Sequence, residues 1–360
     1  MTGSDQNRRA FLAAAAATLT GLELGMSGST KSFLSGKTDA PDSKLSALRG
    51  ATGWLNSRPL TAADLRGKVV LVEFWTYTCI NWLRALPYVR AWAGKYRDHG
   101  LTVIGVHTPE FRFEHNIDNV RTAAKDMRVD YPIALDNDYA IWKGFENQYW
   151  PAYYLLDRRG DIRHRQFGEG AYDQSERMIQ RLLEKAGADI RSRDVVSVEP
   201  QGIEAGADWS SLASPEIYLG LARTEGFVST RGAATGSARP YVIPDRLRRN
   251  QWALAGDWML DKQAAALKQP NGRLVCRFQA RDLHLVMGPA TPGTPVRFRL
   301  KIDGQPPERA HGLDIDARGE GVVTQQRLYQ LIRQPRPIVE RQCEIEFLDP
   351  GIEVFAFTFG

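Results

Sequence analysis

Residues 69–82 read VVLVEFWTYTCINW, and this stretch decides the fold of the chain. The apolar run from Val69 to Phe74 is typical of a buried strand, and the residues from Leu83 to about Arg97 are typical of a helix. Cys79 therefore lies where a strand gives way to a helix. Unpaired backbone N–H groups at a helix start favour the thiolate, the reactive form of cysteine.

Trp82 occupies the position at which a dithiol site would carry its second cysteine, three residues after Cys79. In disulfide exchange the first thiolate attacks a disulfide, and the second thiol then resolves the mixed disulfide that forms. The stretch supplies the attacking sulfur but not the resolving one.

The segments around this stretch predict a mixed α/β domain. A second buried strand is expected at 101–107, and a hairpin is expected where 152–157 and 162–167 flank a turn. An amphipathic helix is expected over 174–186, because apolar residues recur there at helical spacing. Strands that alternate with helices and end in a hairpin form a mixed sheet.

The second half of the chain has the short, alternating strands of a β-sandwich. The segments 274–280 and 296–302 alternate between apolar and polar residues, and 344–347 and 354–359 close the chain as strands. The sequence therefore predicts an α/β domain followed by an all-β sandwich.

Strand periodicity directs Cys276 and Cys343 into the core of this sandwich. One interpretation is two small buried thiols that behave as apolar side chains. The other is one disulfide between strands, which requires the two Cα atoms to lie close together. The sequence leaves both interpretations open.

Composition divides the chain into four segments. Residues 1–47 are predicted to be an export signal and linker, 48–190 the α/β domain, 191–207 a polar linker and 208–360 the β-sandwich.

The pair Arg8-Arg9 is followed by a mildly apolar stretch, and this order is typical of a twin-arginine export signal. Export predicts a protein of the periplasm or cell envelope, where disulfides persist. Contact with the membrane is expected only through a signal that is not cleaved.

Charge and motif spacing exclude several classes of function. The net charge is +5, but the arginines are scattered rather than clustered, which argues against nucleic-acid binding. The six histidines lack metal-ligand spacing, and no glycine loop that could cradle a phosphate is found in the sequence. We expect no metal and no cofactor.

Residues 67–187 resemble thioredoxin-fold proteins of the TlpA-like (redoxin) type, especially the extracytoplasmic region of DipZ-type proteins. The resemblance rests on Glu73-Phe74-Trp75, Cys79, Pro87 and Trp150-Pro151. Residues 280–360 resemble the jelly-roll-like, carbohydrate-binding-like sandwich that follows this domain in DipZ-type proteins.

The resemblance implies roles for individual residues. Cys79 matches the attacking cysteine, and Glu73 matches a buried carboxylate that relays a proton. The cis-proline loop at Trp150-Pro151 is expected to receive an extended substrate peptide. The other predicted substrate contacts are Trp75 and Trp82.

Two hypotheses for function follow. In the first, Cys79 is the single attacking thiol of a thiol–disulfide exchange protein, whose partners are protein thiols or disulfides and an external reducing thiol. In the second, the protein is a non-catalytic envelope binding protein. Its thioredoxin-like domain then binds peptides and its sandwich binds a glycan or another partner.

A third hypothesis is a peroxiredoxin-like peroxidase, because Thr76 and Cys79 have the Thr-x-x-Cys spacing of that family. The proline that opens the peroxiredoxin motif would fall at Val72, where it is absent. Short motifs of this kind also match by chance.

Overall fold

A mixed sheet organises the first domain of the chain. The computed structural model describes residues 44–230, 232 and 236–360, so the predicted export signal at Arg8-Arg9 lies outside the described residues. The strands of this sheet are β1 (Gly53–Leu55), β2 (Val69–Trp75), β3 (Leu101–His107), β4 (Ile133–Leu135), β5 (Ala152–Leu156) and β6 (Ile162–Phe167). Their order is β1-β4-β3-β2-β5-β6.

The pairing of these strands is partly parallel and partly antiparallel. β2 pairs with β3 in parallel and β3 pairs with β4 in parallel. β5 pairs antiparallel with both β2 and β6, so β5 and β6 form the predicted hairpin. The mixed sheet expected from the sequence is therefore present.

Helices connect these strands. The α-helices described are α1 (Ala62–Leu65), α2 (Ile80–Tyr96), α3 (Ile117–Asp126), α4 (Ala140–Phe145) and α5 (Tyr172–Lys185), with short 3₁₀ helices at Lys44–Gly50, Arg97–His99 and Arg112–His115. Helix α2 begins at Ile80, three residues before the predicted start, and contains Pro87. No helix within the described chain has the length and hydropathy of a transmembrane span.

The central strand β2 is buried on both faces, and all seven of its residues are inaccessible to solvent. Alternate side chains of a strand point to opposite faces. Leu71 and Trp75 pack in one core cluster with residues of α2 and α5. Val72 and Phe74 pack in another with residues of α4. Helices on both faces explain why the β2 sequence is almost uniformly apolar.

The second domain is a large antiparallel sheet that curls onto itself. Its strands are β7 (Ile217–Tyr218), β8 (Arg239–Tyr241), β9 (Trp252–Leu260), β10 (Ala265–Leu267), β11 (Gly272–Phe278), β12 (Asp282–Pro289), β13 (Val296–Ile302), β14 (Glu320–Val323), β15 (Arg327–Arg333), β16 (Arg341–Phe347) and β17 (Ile352–Phe359). Short 3₁₀ helices lie at Gly202–Glu204 and Glu308–Ala310. The main strand order is β14-β13-β16-β11-β9-β10-β17-β12-β15, and β7 and β8 pair with β17 and β9.

Strand β9 is the corner at which this sheet curls. Its residues 252–255 pair with β11, whereas residues 258–260 pair with β10. Gly256 lies between these two segments with a φ of +91°, a backbone conformation that favours glycine. The curl brings Phe278 of β11 against Phe359 of β17, with ring centroids 5.6 Å apart. The two halves of the sheet therefore enclose one core, as expected for a sandwich.

The register of β11 and β16 places Cys276 directly opposite Cys343. Both residues are fully buried and both thiols are free. Burial raises the pKa of each thiol. The structure therefore matches the interpretation in which the two cysteines serve as small buried side chains.

The two domains share a hydrophobic core. Phe355 of β17 lies in one cluster with residues of α2 and α5, and its ring centroid is 5.3 Å from that of Phe111 and 4.8 Å from that of Phe113. Burying one such side chain contributes about 1.5–3 kcal/mol. Beside these rings, Arg112 Nη1 forms an ion pair with Asp261 at 2.6 Å.

A buried carboxylate attaches the segment between the domains to the first domain. Glu176 of α5 is 1% exposed and accepts hydrogen bonds from Tyr96 Oη at 2.7 Å and from the Val196 amide at 2.8 Å. Lys95 Nζ lies 3.0 Å from the same carboxylate. The predicted linker over 191–207 therefore follows a defined path over the first domain.

We expect Glu176→Gln to lower the free energy of unfolding by about 2–4 kcal/mol, because the amide keeps the volume but removes the charge that Lys95 and the buried donors require. Denaturant unfolding measures this loss. Glu184→Gln is the matched control on the same helix. Glu184 is partly exposed and paired with Arg193, so that change should cost at most about 1 kcal/mol. Equal losses in the two variants would contradict the anchoring role of Glu176.

Candidate functional site

Cys79 is the N-cap residue of α2. Its own amide donates to the Thr76 carbonyl oxygen at 3.2 Å, which closes a tight turn after β2. The backbone N–H groups of Asn81 and Trp82, in the first turn of α2, lower the pKa of its thiol, although its side chain accepts no capping hydrogen bond. The structure thus places the cysteine at the free N–H groups of a helix start, as the sequence predicts.

The surroundings of the thiol nevertheless oppose ionisation. Cys79 is half-buried, and the protein packed around its thiol raises the pKa well above the usual value for cysteine. The backbone N–H of Trp82 lowers this pKa in part, while the negative charges of Glu110 and Glu216 raise it further. Because burial is the largest effect, the protonated thiol predominates at neutral pH.

Trp82 is a core residue. It is fully buried and stacks on Trp75, with ring centroids 4.3 Å apart and planes 25° apart. Neither Trp75 nor Trp82 has exposed side-chain surface in the structure, and their role as substrate contacts stays a prediction. The Trp82 indole occupies the space in which a resolving thiol would stand.

Glu73 is fully buried on β2 and accepts a hydrogen bond from the Tyr131 hydroxyl. Burial raises its pKa to about 7, and the interactions with Tyr131 and with the Trp82 indole N–H lower it in part. The Trp82 N–H lies near the carboxylate but does not meet the geometry of a hydrogen bond. A carboxyl group that titrates near neutrality can hold or release a proton beside the motif. Its role in proton relay remains a prediction.

The peptide bond between Trp150 and Pro151 is cis, as the resemblance implies. Pro151 immediately precedes Ala152, which pairs with Phe74 near the end of β2. The proline thus lies beside the strand that leads into the Cys79 turn. Trp150 is half-buried, and its indole Nε1 donates to the Thr108 carbonyl oxygen at 3.1 Å.

Glu114 is a buried carboxyl group that the sequence did not single out. It accepts hydrogen bonds from Thr78 Oγ1 at 2.6 Å and from the amides of Glu110 and Phe111 at 2.6 and 2.8 Å. Burial raises its pKa to about 7. Glu114 thus holds Thr78, the residue before Cys79, in place. The one sequence signal for this role is the position of Glu114 three residues after Phe111, where a glutamate caps the start of a helical turn.

A cluster contributed by both domains lies near the thiol and was also missed. Tyr218 Oη lies within hydrogen-bond distance of both Glu110 (2.7 Å) and Glu216 (2.8 Å), and Arg223 pairs with Glu110 at 2.9 Å. Glu110 belongs to the first domain, and the other three residues belong to the second. Their meeting depends on long-range packing that no local sequence pattern encodes.

A mixed sheet, a cysteine at the start of α2 and a cis-proline at the start of the strand that pairs with β2 define a thioredoxin-like domain. A family model described as the AhpC/TSA family matches residues 37–165. A second model, described as the thioredoxin like C-terminal domain, matches residues 214–360.

Protein DipZ of Mycobacterium bovis is 36% identical over 328 residues, which cover 89% of this chain and 43% of DipZ. The chain thus spans less than half the length of that relative. Thiol-disulfide oxidoreductase YkuV of Bacillus subtilis is 32% identical over 136 residues, which cover 38% of this chain and 91% of YkuV. The chain belongs to the thioredoxin-like family of thiol-disulfide oxidoreductases.

Among solved structures, the solution structure of a thioredoxin-like protein in the oxidised form is 33% identical. The match covers 37% of this chain and 90% of that protein, with a TM-score of 0.35.

The raised pKa of Glu73 predicts a pH dependence of stability. Between the ordinary value of 4.5 and about 7, the folded state keeps a proton that the unfolded chain has lost. The contribution of Glu73 to stability is therefore full below pH 4.5, falls as the pH rises, and is lost above pH 7. We expect Glu73→Gln to reduce this fall by on the order of 2–3 kcal/mol.

Denaturant unfolding at several pH values measures this slope. Glu146→Gln, at an exposed position, is the matched control and should leave the slope unchanged. An unaltered slope in Glu73→Gln would show that Glu73 is ionised in the folded protein.

Proposed function

We propose that this protein performs thiol–disulfide exchange with Cys79 as its single attacking thiol. The Cys79 sulfur attacks a disulfide of a partner, one sulfur of that disulfide leaves as a thiolate, and a mixed disulfide forms. An external thiol then attacks the mixed disulfide and restores Cys79. The observation that carries the proposal is the placement of Cys79 at the start of α2, beside the free backbone N–H groups of the first helical turn.

The surroundings of Cys79 favour a slow exchange protein. Its thiol is mostly protonated at neutral pH, and only the thiolate attacks. The position of a resolving cysteine is filled by Trp82, and the two remaining thiols are buried in the second domain. A mixed disulfide at Cys79 is therefore long-lived until a small thiol arrives.

The cellular setting is part of the proposal. The Arg8-Arg9 signal supports export to the periplasm or cell envelope, where protein disulfides are available as partners.

The non-catalytic alternative is favoured by one observation, the raised pKa of the Cys79 thiol. In that alternative the cis-proline loop binds peptides without a covalent step. A glycan site in the second domain, another part of that alternative, stays a prediction. The peroxidase alternative also stays a prediction, and the Thr76 hydroxyl on which it depends is buried.

The first test follows the formation of the mixed disulfide by mass spectrometry of the intact protein, with glutathione disulfide as the probe. We expect one glutathione adduct per chain, with a rate that rises about tenfold per pH unit from pH 6 to 9, because the thiolate fraction rises in that way below the pKa. Cys79→Ser should abolish the adduct. No adduct at Cys79 would favour the non-catalytic alternative, and a rate that levels off below pH 8 would contradict the raised pKa.

The second test restores the missing sulfur. We expect Trp82→Cys to raise the reduction rate of a model disulfide at least tenfold, because the new thiol can resolve the mixed disulfide. Loss of the buried indole should also lower the free energy of unfolding by about 3–5 kcal/mol. Trp82→Ser is the matched control, since it opens the same cavity without a sulfur. Equal activity in the two variants would mean that the site lacks more than a resolving thiol.

A further inference from the structure

A cleft of about 280 Å³ opens beside the cis-proline loop, and both domains contribute to its walls. Trp150, Tyr139 and Glu110 line it from the first domain, and Arg223 and Lys262 line it from the second. The volume is near the lower limit of roughly 300 Å³ for small-molecule sites. The cleft therefore suits individual side chains of a peptide better than a whole cofactor.

The wall from the first domain is fixed before any peptide binds. The ring of Trp150 lies 4.3 Å from that of Trp142, and its indole nitrogen is bound to the Thr108 carbonyl. Trp150 also directly precedes Pro151. A peptide that crosses Pro151 thus contacts a Trp150 ring that is already fixed, so binding costs this side chain little conformational entropy.

The wall from the second domain is equally well defined. The amide of Ala222 donates to the Lys262 carbonyl oxygen at 3.0 Å, so the turn that carries Lys262 is held in place. The close approach of these two segments requires glycine at position 220, because a Cβ there would lie 2.2 Å from a backbone atom of Gln263. The fold of the second domain therefore fixes the backbone of Lys262 at the cleft.

The charges in the cleft are not all neutralised. Glu110 is bound by both Tyr218 and Arg223, and the Arg223 guanidinium lies 3.6 Å from the centroid of the Tyr218 ring. Lys262 is exposed, and the ion pairs found among the described residues do not include it. Lys262 therefore presents a positive charge to whatever enters the cleft.

We propose that the second domain selects partners whose reactive cysteine is flanked by acidic residues, with Lys262 as the selecting residue. This inference rests on the proposed function, because it names the substrate class of the same site. A peptide that lies across Pro151 towards Trp150 brings the neighbours of its cysteine into the cleft. A carboxylate there gains the charge of Lys262, whereas a lysine is repelled.

The test compares two peptides of equal length whose central cysteine carries a 2-thiopyridyl disulfide, flanked either by aspartates or by lysines. Release of 2-thiopyridone reports the rate, and each rate is divided by that of free glutathione thiolate with the same peptide. We expect the wild type to prefer the acidic peptide by about fivefold and Lys262→Glu to reverse the preference. Raising the salt concentration should weaken the preference.

Lys268→Glu is the matched control, with the same charge change at an exposed residue outside the cleft. It should keep the wild-type preference. Equal rates with the two peptides, or an equal effect of the two lysine variants, would overturn the inference.

A binding measurement separates this inference from the proposed function. The Cys79→Ser variant is titrated with the same peptides carrying serine in place of cysteine, and calorimetry gives the affinities. Tighter binding of the acidic peptide, without any mixed disulfide in the wild type, would support the cleft and refute exchange. Mixed disulfides formed equally with both peptides would support exchange and refute the selection by Lys262.

Discussion

The stack of Trp75 on Trp82 is the interaction on which the site depends. One indole ends the central strand, the other lies in the first turn of α2, and both are fully buried. Between them the chain must turn, and the turn carries Cys79. In a dithiol protein the same place holds a reactive sulfur. Here it holds the Trp82 indole, which packs against Trp75 in the core.

Burial then determines how the remaining sulfur behaves. Two carboxyl groups with a pKa raised to about 7, Glu73 and Glu114, lie within the surrounding core, and the charge of Glu110 acts on Cys79 from the surface. Reactive cysteines usually have cationic neighbours that stabilise the thiolate. In this protein the helix start is opposed by desolvation and by negative charge. The structure therefore combines a thiol at a helix start with an environment that keeps it protonated.

Local patterns were sufficient to predict the architecture. The apolar run of β2, the alternation in β13 and the turn between β5 and β6 are each encoded within a few residues, and the structure contains all three. The sequence named Trp82 as a substrate contact and gave no sign that its side chain is fully buried. Its burial comes from stacking on Trp75, which depends on how α2 packs on the sheet rather than on spacing.

The cluster around Glu110 could not be predicted from the sequence, because its residues are far apart along the chain. Tyr218 lies more than one hundred positions from Glu110, and it reaches that residue only after the second domain has packed on the first. No periodicity or motif within either segment encodes such a contact. A sequence without an alignment identifies the cysteine and its strand, but it cannot identify the partners that a distant domain brings to them.

The placement of Phe355 against Phe111 and Phe113 has a consequence for how the chain unfolds. Two segments that match separate family models meet in a common apolar core. Removing either segment would expose apolar side chains of the other to water. Heating should melt them together in one cooperative transition. Separating the two halves would leave these aromatic rings facing water, so each half alone should be less stable than the intact chain.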